Sequence, residues 1–261
     1  MQRIALGVSY RGVAYHGWQS QPDGNTVQDR LEAALAAFAD RPVRTSCAGR
    51  TDAGVHALNQ VVHFDTEVSR APGSWVRGTN RFLPPDIAVQ WCRPVPASFH
   101  SRASARGRRY VYVLRESPVR PALEAGLVGW SFRRLDLAVM QDAAQCLLGE
   151  HDFGAFRSSE CQAASPVKVL RAIGIEQRGA YWHFAFDANA FLHHMVRNIM
   201  GSLVAVGSGL RAPGWLGQVL AARDRTRAAP TFAPDGLYFR GPYYDAADAI
   251  PDRTAADDWL P

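Results

Sequence analysis

Cys47-Ala48-Gly49-Arg50-Thr51-Asp52-Ala53-Gly54-Val55-His56 is the stretch on which the reading of this chain turns. A strand-like run, Val43 to Ala48, leads into it, and a second, Gln60 to Thr66, leads out. Between them stand one carboxylate, Asp52, and one guanidinium, Arg50, flanked by Gly49 and Gly54. A short loop held at both ends by strands presents a single side chain at a defined place, and its glycines leave backbone room for a ligand to come close. A lone Asp between Thr and Ala-Gly is most often a turn former, but the whole run is too long to recur often by chance. With no second acid nearby, glycosidase chemistry, which uses two carboxyl groups, is disfavoured. A single ionised carboxylate instead fits covalent catalysis by attack on carbon. No second carboxylate or suitably spaced His accompanies Asp52, so no metal site is read here.

The chain has 261 residues, 47% of them hydrophobic, enough for one large domain or two smaller ones. Its net charge of +5 is weak support for a nucleic-acid partner. Lys168 is the only lysine among 29 basic residues. Compositional bias accounts for most of that preference, although arginine also suits phosphate forks and base stacking. Cys47, Cys92, Cys146 and Cys161 form no CxxC pair, which argues against a zinc ribbon or a redox dithiol. The N-terminus runs straight into a strand pattern, and no apolar stretch approaches the roughly 18 residues of a membrane span. A soluble, cytoplasmic protein with no membrane association is expected.

Periodicity predicts a strand over 4–10, a turn-rich segment over 17–24, and a helix capped by Asn25 or Thr26, with Val27, Leu31, Leu35 and Phe38 on one face. Strands at 43–48 and 60–66 enclose the Asp52 loop; a short helix, 74–82, is stopped by Pro84-Pro85, and a strand follows at 87–92. The order then recurs: strand 110–114, helix 135–148, strands 167–176 and 181–187, a long helix 190–207, a short one near 215–222, and a last strand near 237–240. The expected fold is therefore α+β, with two similar subdomains, each a mostly antiparallel sheet backed by helices. The expected divisions are residues 1–105, 106–245 and a loosely ordered tail over 246–261.

Two further clusters carry chemistry. Residues 87–115 contain six Arg and no acid, and Arg106, Arg108 and Arg109 lie beside Tyr110 and Tyr112. Basic residues interleaved with aromatics suit phosphate neutralisation and base stacking, with a solvated loop as the plain alternative. Alternation with Val111 and Val113 puts both tyrosines on one side of the strand. In Phe191 to Gly201, read as helical, His193 and Arg197 are four apart and would lie side by side, with a solvated stripe as the alternative. A guanidinium near Asp52 would keep it ionised, whereas burial alone would protonate it. Arg50 is the local candidate for that task and Arg197 the distant one.

The Asp52 run resembles, nearly letter for letter, the catalytic loop of the TruA family of tRNA pseudouridine synthases. The stretch around Arg197 is similar to a second family signature, whose Arg pairs with the catalytic Asp, implying an Asp52–Arg197 ion pair. Arg109-Tyr110-Val111-Tyr112 resembles a strand whose first Tyr, here Tyr110, stacks on the target base. Gly236-Leu237-Tyr238-Phe239 looks like a third signature, in which an apolar side chain lines the uracil pocket. Family members tend to carry Leu where Phe239 stands, so Leu237 and Phe239 are both candidates. The stretch Asn80 to Ile87 matches a helix stop with Arg81 near RNA, and Tyr10 to Gln19 looks like an opening segment that contacts RNA. The resemblance covers the chain from Ile4 to about Arg240.

What it implies is isomerisation of uridine to pseudouridine at positions 38, 39 and 40 of the tRNA anticodon stem-loop, on a pseudouridine synthase fold with its active-site cleft between the subdomains. Asp52 would be the nucleophile, Arg50 would fill the space left by the flipped nucleotide or grip a phosphate, and Arg106 and Arg108 would contact RNA. No cofactor or metal is needed, because the reaction is redox-neutral. Tyr110 is a candidate for removing the C5 proton. The family is homodimeric, and a homodimer is expected here. Two alternatives remain at this stage: a non-catalytic RNA-binding protein, and a related synthase with a different RNA target.

Overall fold

A computed structural model of the chain describes residues 1–252. The elements in chain order are β1 (Gln2–Tyr10), α1 (Val27–Ala39), β2 (Ser46–Cys47), β3 (His56–Thr66), α2 (Pro72–Phe82), β4 (Ile87–Val95), β5 (Gly107–Glu116), β6 (Gly129–Ser131), α3 (Leu137–Ala144), β7 (Gly149–Asp152), β8 (Val167–Arg178), β9 (Tyr181–Ala188), α4 (Met195–Gly207), α5 (Trp215–Ala222) and β10 (Leu237–Tyr243). The described residues divide into two compact units, one made of Met1–Arg108 with 238–252, the other of Arg109–Leu237. The fold is α+β, as expected, and the sheet in each unit is mostly antiparallel. Among the described residues no helix is long and apolar enough to cross a membrane.

In the first unit the strand order is β4-β1-β3-β10, with β2 on β3. β1 runs antiparallel to β3, pairing Leu6 with Val62, and antiparallel to β4, pairing Leu6 with Cys92. One face of this sheet is covered by helices. Thr26 caps α1 by accepting the Asp29 N–H, and Val27, Leu31 and Leu35 are completely buried. Phe38 meets Trp75 of α2 edge-on, with ring centroids 5.3 Å apart. The other face carries Ala5, Ala48, Val61, Trp91 and Phe99, with Val95, Tyr244 and Ile250 packed on them. Burial on both faces explains why β1 and β3 are hidden almost end to end rather than on alternate residues.

The second unit has the order β5-β9-β8-β7, with β6 parallel to β5. Ile175 of β8 opposes Phe184 of β9. Trp182, Phe184 and Phe186 of β9, Met140 of α3, and Ile199 and Leu203 of α4 are buried. Asp136 caps α3 by accepting the Val139 N–H at 3.0 Å.

Several boundaries differ from the sequence reading. β3 begins at His56 rather than 60, because His56 and Asn59 are buried polar residues that mask the start of the strand pattern. α4 begins at Met195, not 190, because the preceding His194 is left-handed at φ 62°. His193 thus precedes the helix, and the side-by-side placement with Arg197 drawn from helical spacing does not apply. The short strands β6 and β7 carry too little periodicity to be read from sequence. The division between units falls after Arg108 rather than 105. The last strand, expected to close the second half, joins the first unit from Tyr238 on, where Tyr238 and Phe239 pair in parallel with His56 and Ala57. Beyond Tyr244 the described chain touches the first unit at a few points, while Asp245, Ala246, Ala247 and Ala249 are exposed. Tyr244 donates to the Ser101 carbonyl at 2.7 Å, Ile250 joins the core, and the Pro251 carbonyl accepts from Asn59. The rest of the expected tail lies outside the described residues.

Candidate active site

In the first unit, Asp52 is half-buried on a loop whose main chain is tied down on every side. The Ala48 N–H donates to the Val61 carbonyl at 2.8 Å. The Gln60 side-chain amide bonds the Gly49 carbonyl and accepts the Gly49 N–H. The Thr51 hydroxyl is 2.8 Å from the Tyr10 hydroxyl, and the Thr51 carbonyl accepts from Trp18 N–H at 3.0 Å. A turn closes when Val55 N–H donates to the Asp52 carbonyl at 3.1 Å. Phe239, completely buried, lies against Gly49 from beneath. These bonds fix the Asp52 backbone before any ligand arrives, which is the preorganisation that positioned catalysis requires.

The opening segment is chiefly a brace. Tyr10, Tyr15 and Trp18 are buried rather than displayed to RNA. Gly17 has φ +88°, and a Cβ there would lie 2.7 Å from the Thr51 carbonyl oxygen, so only glycine lets this segment press against the loop. The Tyr15 hydroxyl donates to Asp86 at 2.7 Å, and Arg11 N–H donates to the Asp86 carbonyl. Burial, then that carboxylate, pushes the Tyr15 phenol up, so it remains a donor. Gly12 N–H donates to Nδ1 of His56, which stacks on Tyr238 at 4.5 Å. Sequence reasoning gave Tyr10 and Trp18 a role in RNA contact rather than in bracing, and gave Gln60 and Asp86 no part in the site. Their one visible signal is polar or aromatic residues embedded in strand-like or glycine-punctuated runs.

Arg50 is exposed beside Asp52, and Arg81 is exposed in the last turn of α2. Burial pushes the Cys47 thiol up to about 11, against the lowering pull of Arg50 and Arg102. Cys47 therefore stays protonated and offers no competing nucleophile. Arg108 is half-buried and donates to the Ala48 and Arg102 carbonyls at 3.1 and 2.8 Å, which makes it part of the loop's support. Arg106 is exposed but gripped by Asp245, with hydrogen bonds between 2.5 and 3.0 Å. That pairing holds the Asp245 carboxyl below the usual range and offsets the positive charge that an RNA phosphate would seek.

In the second unit, Tyr110 is half-buried and meets Phe191 edge-on at 5.1 Å. Tyr112, by contrast, is completely buried and donates to the Ala233 carbonyl at 2.9 Å, a structural role. Arg109 pairs with Asp187 at 3.4 Å. Arg197 is half-buried in the first turn of α4, and its Nε donates to the Phe232 carbonyl at 2.9 Å while Phe232 N–H donates back to the Arg197 carbonyl. The guanidinium is thereby held in one orientation. Phe232 also packs on Tyr112, at 5.6 Å between rings. Asn198, unremarked in the sequence reading, accepts from Arg225 and Thr231 and donates to the Phe156 carbonyl, tying the loop that carries Phe232 to α4. Leu237 is buried with its N–H on the Pro234 carbonyl.

The family profile described as tRNA pseudouridine synthase matches residues 7–102 and 143–245. The chain belongs to that family. It is 75% identical over 259 residues to tRNA pseudouridine synthase A of Methylibium petroleiphilum, covering 99% of this chain and 100% of that one. It is 66% identical to the protein of the same name in Paracidovorax citrulli, again over 99% and 100% of the two chains. Among solved structures, a chain of a Cbf5-Nop10-Gar1 complex aligns over 89% of this chain and 47% of its own length, at 10% identity and a TM-score of 0.37. The match to the profile includes the Asp52 loop, the Arg197 helix and the Leu237–Phe239 strand.

Proposed function

We propose that this tRNA pseudouridine synthase isomerises uridines 38, 39 and 40 of the anticodon stem-loop, with Asp52 as the nucleophile. One observation carries the reading furthest: half-buried Asp52 sits on a loop fixed by bonds from Tyr10 and Trp18 to Thr51, from Gln60 to Gly49, and from Val55 N–H to the Asp52 carbonyl. A loop with only a turn-forming role needs no such bracing. In the proposed reaction the target nucleotide leaves its stack, at a cost of a few kcal/mol. Arg50 occupies the vacated space or grips a phosphate, and Tyr110 stacks on the extruded uracil. Asp52 attacks the sugar or the base, or promotes sugar deprotonation; the bond it forms is broken again, or the sugar proton it takes is returned, before product leaves, so the carboxylate is regenerated. The bond from C1′ to N1 breaks, the uracil rotates, and a bond from C1′ to C5 forms. The C5 proton leaves to a base, for which Tyr110 is the candidate, and N1 regains a proton, so atoms and charge balance without an external donor. Arg197, oriented by Phe232, is proposed to keep Asp52 ionised.

Tritium release from an unmodified tRNA transcript labelled at uridine C5 tests this, with Asp52→Asn as the control. Release that disappears in the variant, with modification mapped to 38, 39 and 40, is the expected result. Equal release from the variant would overturn the nucleophile assignment, and modification elsewhere would overturn the site assignment. A homodimer is proposed as well, and a monomer mass by sedimentation would refute it.

A further inference from the structure

We propose that Trp130, Phe132 and the arginines around them form a second RNA-contacting surface, remote from the reacting nucleotide, that holds phosphates and stacks on an exposed base. The inference rests on the tRNA reading above.

Trp130 is 37% and Phe132 61% exposed, with ring centroids 6.0 Å apart. They are two residues apart at the end of β6, where alternate side chains share a face. The Trp130 indole N–H is bound to the Ser117 carbonyl at 2.8 Å, so the ring is oriented before any partner arrives. The Arg133 guanidinium lies over Phe132, 5.0 Å from its centroid. Arg120, Arg133 and Arg134 are exposed, and among the described residues no carboxylate pairs with them. Glu124 is the only acid between 117 and 135, and it is taken by Tyr181 at 2.6 Å and by Arg115. At the edges Glu116 accepts from Leu135 N–H and the Trp182 indole, and exposed Asp136 caps α3. The surface therefore combines ordered aromatic faces with three arginines that are in no ion pair, the two features by which unpaired nucleic acid is held.

A second copy of the chain fits poorly. A two-fold interface would set this patch against itself and bring these guanidinium groups face to face. RNA supplies both the negative charge and the π-faces. β6 is aligned with the far end of β5, Trp130 opposite Arg115. Tyr110 lies five residues back along β5, about 16 Å away at the rise of a strand. An RNA that stacks its target base on Tyr110 must therefore extend well beyond that base to reach Trp130 and Phe132. The surface acts on affinity and leaves the chemical step alone.

The test uses the full chain and an unmodified tRNA transcript, with two variants: Phe132→Ala, and the triple change Arg120→Gln, Arg133→Gln, Arg134→Gln. Exposed positions keep the risk of misfolding low, and thermal melting checks it. The expected result is a Kd and KM raised about tenfold by Phe132→Ala, as one base loses its stacking partner. The triple variant is expected to flatten the slope of log Kd against log salt by about 2 to 3, near one unit for each phosphate no longer neutralised. In both, kcat changes less than twofold. Wild-type Kd and salt slope in both variants would overturn the proposal. So would a shift from dimer to monomer in sedimentation, which would make the patch an interface between copies. Absence of tritium release from the wild type would sink the isomerase reading instead, leaving Kd and slope readable, so the two failures are distinct.

Discussion

Replacing Gly17 by Ala probes how far catalysis depends on the bracing of the Asp52 loop. Gly17 (φ +88°) and Gly24 (φ +67°) share a left-handed backbone. An Ala in that region costs about 1–2 kcal/mol, partly offset by about 0.4–1 kcal/mol from a stiffer unfolded chain. Both variants should therefore lose about 1 kcal/mol of stability from the backbone alone. They differ in surroundings. A Cβ on Gly24 meets nothing within 4 Å, whereas on Gly17 it would sit 2.7 Å from the Thr51 carbonyl oxygen and 3.1 Å from the Asp52 carbonyl carbon. Relieving that clash requires the loop to retreat by about 0.5 Å or more, and a displacement near 1 Å can cost about 100-fold in rate. Gly17→Ala should lower single-turnover tritium release at saturating tRNA by at least about tenfold, and Gly24→Ala by less than twofold. Urea unfolding would verify that both remain folded at the assay temperature. Equal rates in the two variants would refute the argument that this close approach positions Asp52.

Other consequences are as direct. Asp245→Asn removes the partner that offsets Arg106, so tRNA should bind severalfold more tightly at low salt with a steeper salt slope; unchanged binding would place Arg106 outside the RNA footprint. Tyr110→Phe keeps the ring and its edge-on packing with Phe191, so tRNA affinity should hold while product formation slows if the hydroxyl takes the C5 proton, and a normal rate would leave Tyr110 a stacking role alone. His63 is buried, accepts from Ser101 N–H, and is lowered to about 4 by burial first, then by His100 and Arg3. Its folded value lies below the ordinary 6.5, so the unfolded chain takes up the proton first as pH falls. The stabilisation is full above about 6.5 and is lost toward 4, at most about 3 kcal/mol. Urea unfolding of wild type and His63→Gln across that window should show a shallower pH dependence in the variant, and parallel curves would dismiss the assignment.

Much of the architecture was legible because it rests on local patterns. The cap at Thr26, the apolar face of α1 and the strand pairs around residue 180 follow from periodicity and side-chain chemistry within a few residues. The failures share a cause. β3 reads short because His56 and Asn59 look like loop residues, yet each is buried with a specific partner supplied from far along the chain. The helix at 195 reads long because nothing local announces a left-handed His194. The aromatic opening segment reads as a display surface, since burial of Tyr10 and Trp18 depends on segments that only folding brings together.

By itself the sequence determined the α+β class, the single presented carboxylate and the family, because these depend on composition, short-range periodicity and a contiguous motif. Tertiary packing alone shows that Arg106 is already held by Asp245, that Tyr112 is completely buried while Tyr110 is half-buried, and that Phe239 supports the loop from below. It also returned the segment after Tyr238 to the first unit. Those outcomes turn on which distant groups satisfy each buried donor and fill each space, and that competition is settled when the whole chain packs.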